Sequence, residues 1–107
     1  ISIDSGITFN LPELLTLIFF LIQEYRRAVS NAEAAIRAFE AAPQAAISQR
    51  ALAESHYILG MAQARLGDGP AGLQNHLRAI EIIRASDDPD PEYLAELELE
   101  ALHRLFD

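Results

Sequence analysis

Three histidines, a stripe of carboxylates and a few serines are the residues of this 107-residue chain that could do chemistry. His56, His76 and His103 invite a metal or general-base reading. None has a second histidine at i+4, as a helical zinc motif requires. In "EYLAELELE" Glu92, Glu96 and Glu100 stand four apart on one helical stripe, with Glu98 off it. Such a stripe could hold a cation, but it reads first as a solvated helix face. Ser48, Ser55 and Ser86 have no local His–Asp context, so no activated nucleophile is legible. The cluster "GDGPAG" breaks the chain between two helices and is no phosphate cradle. An acidic pair such as Glu96 and Glu100 is the one set a cofactor-free enzyme could use. The residues predict no catalysis, no cofactor and no metal.

Composition narrows the classes further. Half of the chain is hydrophobic and 22% is charged, the balance of one globular domain. The formal net charge of −8 repels phosphate backbones and anionic membrane surfaces, so neither nucleic acid nor membrane is expected as a partner. With no cysteine, disulfides and thiolate metal sites are excluded, which fits a reducing cytoplasm. The apolar run "LLTLIFFLI" falls far short of the roughly 20 residues a bilayer span needs. It predicts a helix buried all round by protein. Because the first residue is an isoleucine, the chain is expected to be a processed product or a piece of something longer.

These residues must be positioned by helices. The opening "ISIDSGITF", residues 1–9, alternates apolar and polar positions and suits a short strand or arm. In "NLPE", Asn10 can cap, Pro12 sits in the first turn and Glu13 can reach back, starting a helix that runs to about residue 28. "SNAE" repeats the signal with Ser30 and Glu33, predicting a second helix from about 31 to 42 that Pro43 stops. A third, about 45–66, presents Ile47, Leu52, Ile58, Leu59, Ala62 and Leu66 at helical spacing. Gly67 suits its left-handed C-terminal cap. Asp68 can cap a fourth, about 70–85, with Leu73, Leu77, Ile80 and Ile83 on its face. Asp90 and Pro91 start a fifth, reaching about residue 106. The expected class is all-α, five helices in antiparallel pairs behind an N-terminal arm.

The glycine inside "HYILGMAQARLGDG" costs its helix about 1 kcal/mol relative to alanine. Gly60 is followed twelve residues on by Gly72 and seven further by Ala79. The same spacing links Gln23, Ala35 and Ala42. The span "HYILGMAQARLGDGPAGLQNHLRAIEI" resembles a tetratricopeptide repeat: Leu59–Gly60 matches the Leu-Gly pair, Leu66–Asp68 the turn, and Gly72 and Ala79 the small positions. The resemblance covers about residues 16–84. It implies a short right-handed solenoid, with repeat one at about 11–42, repeat two at about 45–85 and an extra or capping helix at about 91–106. It also implies that Gly60 lets the paired helices pack closely. His56 and His76 stand where that family usually has aromatics, which makes them packing residues. Gln63 replaces another aromatic and Gln23 a glycine.

The resemblance further implies a groove lined by the first helix of each pair. Carried over, the groove takes Leu17, Phe20, Glu24 and Arg27 from the first helix and Glu54, Tyr57, Met61 and Arg65 from the third. The chain has no lysine, so the carboxylate-capturing pattern of chaperone-binding members is missing. Aromatic and methionine side chains suit an amphipathic helix or apolar peptide instead. The expected function is a protein-interaction module, a regulatory, signalling or scaffold part of a larger protein. The alternative is a small secretion-type chaperone that shields an apolar client helix. Because the first helix is apolar on nearly every side, a homodimer through Leu14, Ile18 and Leu21 is also expected, unless upstream segments cover that helix.

Overall fold

The computed structural model describes residues 6, 10–41, 46–87 and 89–106. Four α-helices run through them: α1 (Leu11–Ala41), α2 (Ala46–Arg65), α3 (Gly69–Ala85) and α4 (Pro91–Phe106). No described helix is long and apolar enough to cross a membrane. Ile7 and Phe9 of the arm, Pro43 and the side chain of Ile47 lie outside the described residues.

The local signals at helix ends are obeyed. Glu13 N–H donates to Asn10 Oδ1 at 2.9 Å while Asn10 N–H reaches Glu13 Oε2 at 3.3 Å, a reciprocal capping box. Gly67 has φ +99°, the left-handed conformation that ends α2 at little cost only for glycine. Asp68 Oδ1 accepts from Ala71 N–H at 3.2 Å at the start of α3. Asp90 Oδ1 takes Glu92 N–H at 3.1 Å and Tyr93 N–H at 3.2 Å at the start of α4.

The expected break at Ser30 does not occur. Residues 11–41 form one helix of 31 residues, so the first helix pair is absent and four helices, not five, are described. A serine with a glutamate three residues on starts a helix only where something upstream has ended the previous one. Here no glycine or proline stands between Pro12 and Pro43, and Ala28, Ala32, Ala34, Ala35 and Ala38 are strong helix formers. Packing supplies the larger reason. Val29, Ala32 and Ile36 lie together against Leu52 and Leu59 of α2, on one stripe that crosses the Ser30 position without interruption.

The helices pack in chain order: α1 on α2, α2 on α3, α3 on α4. The larger core cluster joins Ala53 of α2, Ala79, Ile80, Ile82 and Ile83 of α3, and Leu97 and Ala101 of α4. Leu52 touches both this cluster and the smaller one against α1. At the α2–α3 crossing the two glycines face each other. A Cβ built on Gly60 would stand 2.5 Å from Gly72 O, and one on Gly72 would stand 2.5 Å from Gly60 O. Both glycines are buried, and the expected close approach of the paired helices is present.

One end of α1 has no neighbour among the described helices. At 1.5 Å per residue α1 is about 46 Å long and α2 about 30 Å, so α1 outruns its partner by about 16 Å, or some eleven residues. Those are residues 11–21, and Leu11, Leu15, Leu17, Ile18, Phe19, Phe20 and Leu21 are all exposed, Phe19 to 62%. The apolar run is therefore not buried all round, as its composition leads one to expect. The overhang also accounts for the shape: the radius of gyration is 16.7 Å, against about 13 Å for a compact chain of this length.

Candidate functional site

Tyr57, Met61 and Arg65 recur at four-residue steps along α2, which places them on one face. On α4, Arg104 stands four residues and His103 three residues after Glu100, which puts the three on one face near its C-terminal end. The two faces, with Ala64, line one open recess of about 320 Å³. Three of the eight residues expected in a groove are thus brought together, joined by three from α4 that no sequence pattern groups with them.

The other five stand elsewhere. Glu54 is exposed and accepts from Arg50 Nε at 3.1 Å. Leu17, Phe20, Glu24 and Arg27 are exposed on α1, with Arg27 Nη1 and Glu24 Oε1 paired at 2.9 Å. None of these five lines the recess. The cause is the unbroken α1: its packing partner among the described helices is α2, so it never lies beside the α2–α4 face.

The recess has polar walls over an ordered base. Tyr57 Oη donates to Glu100 Oε2 at 2.7 Å, tying α2 to α4. Partial burial, with the Glu100 carboxylate beside it, pushes the Tyr57 phenol up to about 12, so it is a donor at any ordinary pH. Beneath it lies the His76 ring, edge-on to Tyr57 with centroids 5.3 Å apart. His76 is fully buried, and its Nε2–H donates to Leu97 O at 2.7 Å. Its Nδ1 has no hydrogen-bond partner among the described residues. Burial pulls the imidazole below its ordinary range, more than the Leu97 bond holds it up, which keeps the ring neutral. Arg104 Nη1 donates to Gly72 O at 3.3 Å, which fixes α4 against the glycine crossing.

The remaining polar residues have structural work. His56 Nδ1–H donates to Asn75 Oδ1 at 2.9 Å, and Asn75 Nδ2–H to Gln63 Oε1 at 2.7 Å, a chain that bridges α2 and α3. Arg50 pairs with Asp90 Oδ2 at 3.1 Å and lies 3.9 Å from the centre of the Tyr93 ring, joining the starts of α2 and α4. Of the acidic stripe, Glu100 serves Tyr57; Glu98, off the stripe, accepts from Arg84 at 2.9 Å. Among the described residues no three histidine, aspartate or glutamate side chains converge as metal ligands would.

A larger recess of about 400 Å³ opens between α3 and α4, lined by Leu77, Ile80, Ala101, Leu102 and Leu105. Its charged rim groups are already paired, Arg84 with Glu98 and Glu81 with Arg78. Unlike the α2–α4 recess, it has no convergent polar groups to orient a ligand, and such groups distinguish binding sites from troughs between helices. No protein-family model, curated protein or solved structure matches this chain.

Proposed function

We propose that this chain is a protein-interaction module, in which a tetratricopeptide-like α2–α3 pair and the capping helix α4 present a groove to an apolar helix or peptide of a partner protein. One observation carries the reading: Tyr57, Met61 and Arg65 of α2 share an open recess with Glu100, His103 and Arg104 of α4. The recess spans two non-consecutive helices, which is where a right-handed stack of helix pairs offers a continuous concave face. Met61 supplies a deformable apolar contact. Tyr57 is a rigid aromatic one, held in place by its bond to Glu100. Arg65 and Arg104 bring positive charge to the recess, within a chain of net charge −8. A ligand with an apolar anchor and an acidic group beside it fits that arrangement.

The test is selection from a random peptide library, followed by affinity measurements on the selected peptides. Met61→Glu and Tyr57→Ala should each weaken binding at least tenfold, while Leu102→Glu in the α3–α4 recess should leave it unchanged. Selected peptides that bind all three variants equally would overturn the reading.

A further inference from the structure

We propose that the first half of α1 is a self-association surface, on which two copies pair residues 11–21 antiparallel about a two-fold axis, each lying along the stretch of α1 that α2 does not cover. The inference is independent of the α2–α4 recess.

The first support is continuity with the interface α1 already makes. Ala32 and Ile36 face α2. At 100° per residue, Leu14, Ile18, Leu21 and Tyr25 fall in the same sector of about 60° as those two. The stripe that binds α2 therefore runs on for some eleven residues with the same apolar character, after α2 has ended. A helix laid there meets a surface already suited to helix packing.

Area is the second support. Seven apolar side chains in residues 11–21 are between 40% and 62% exposed. At about 200 Å² each they leave on the order of 700 Å² in water. The seven lie on all sides of the helix, so the stripe with Leu11, Ile18 and Leu21 carries part of this area, and the total is comparable with the largest apolar patch of most monomers, about 300–600 Å². Charge is the third. Residues 11–21 contain one charged side chain, Glu13, in a chain of net charge −8. Contact there brings two copies together with the least like-charge repulsion.

The orientation follows from the fold. A parallel pair on this stripe would drive one copy's α1 into the position held by α2 of the other, because α2 covers the stripe beyond about residue 21. An antiparallel pair overlaps only at the overhangs and sends the two helical bodies in opposite directions. The axis then passes near the middle of residues 11–21, and the two Asn31 positions lie about 45 Å apart at 1.5 Å per residue.

Light scattering at tens of micromolar should give twice the 11.8 kDa chain mass. The double variant Ile18→Glu/Leu21→Glu should give the monomer mass with helix content by circular dichroism unchanged, since both residues are already half exposed. Leu102→Glu, on the α3–α4 edge, should leave the dimer intact. The chain has no cysteine, so spin labels on Asn31→Cys report one distance per dimer, expected near 45 Å. That measurement keeps the native stripe and decides the matter even if the double variant misfolds. A monomeric parent chain, a dimer that survives the double variant, a dimer lost on Leu102→Glu alone, or a label distance below about 25 Å would each overturn the proposal.

Discussion

Gly60 and Gly72 face each other across the α2–α3 crossing so closely that a methyl group on either would stand 2.5 Å from the carbonyl oxygen of the other. The obstacle is backbone, which cannot rotate out of the way as a side chain can. Gly60→Ala would gain about 1 kcal/mol of helix propensity. It would meet an overpacking cost of typically 1–3 kcal/mol, which prevails when the neighbour is rigid. Gly60→Ala and Gly72→Ala should therefore lower the thermal midpoint by several degrees, and Gly60→Leu by more. A raised midpoint, the usual response of an exposed helical glycine to alanine, would place the crossing elsewhere.

Asn31→Pro separates one continuous α1 from two helices meeting at Ser30. If Ser30 were an N-cap, position 31 would be the first helical residue, where proline is welcome. In a continuous helix the same proline removes a hydrogen bond and collides with the carbonyl of residue 27, costing about 3 kcal/mol or more. A urea midpoint that falls markedly is expected. An unchanged midpoint would show that the chain can break there.

His76 makes stability depend on pH in a stated direction. Its folded pKa lies below the ordinary 6.5 because the ring is buried, with Arg104 adding to the depression and the Leu97 bond and Glu100 opposing it. Protonation would also put a second N–H on Nδ1, which has no acceptor among the described residues. The unfolded chain thus takes up the proton first, and stability is lost as pH falls below about 6.5 toward the depressed value. Denaturant unfolding between pH 7.5 and 5.5 should show a loss that His76→Gln flattens, whatever that variant's absolute stability. Equal slopes for parent and variant would contradict a buried neutral imidazole.

Legibility in the sequence followed the range of the interaction. The caps at Asn10, Asp68 and Asp90 and the turn at Gly67 were readable because each is satisfied within a few residues. The Gly60–Gly72 approach was readable through the repeat that the spacing of small residues resembles. The joining of two expected helices into α1 was not, because the Ser30 signal is local while the stripe of Val29, Ala32 and Ile36 against α2 is tertiary. The recess was half legible for the same reason. Tyr57, Met61 and Arg65 share one helix face, but Glu100 meets Tyr57 across 43 positions and looked like one more carboxylate of a solvated stripe. Arg50 carries no local signal, since its partners Asp90 and Tyr93 lie at least 40 residues on.

The proposed function turns on whether the face between α2 and α4 binds a partner segment. A two-dimensional NMR titration of the labelled chain with a library-selected peptide reads that face residue by residue. The largest shift changes are expected at Tyr57, Met61, Arg65, Glu100 and Arg104, saturating together with one dissociation constant. Changes confined to residues 11–21, or to Leu77, Leu102 and Leu105, with the Met61 methyl unmoved, would contradict the proposed function.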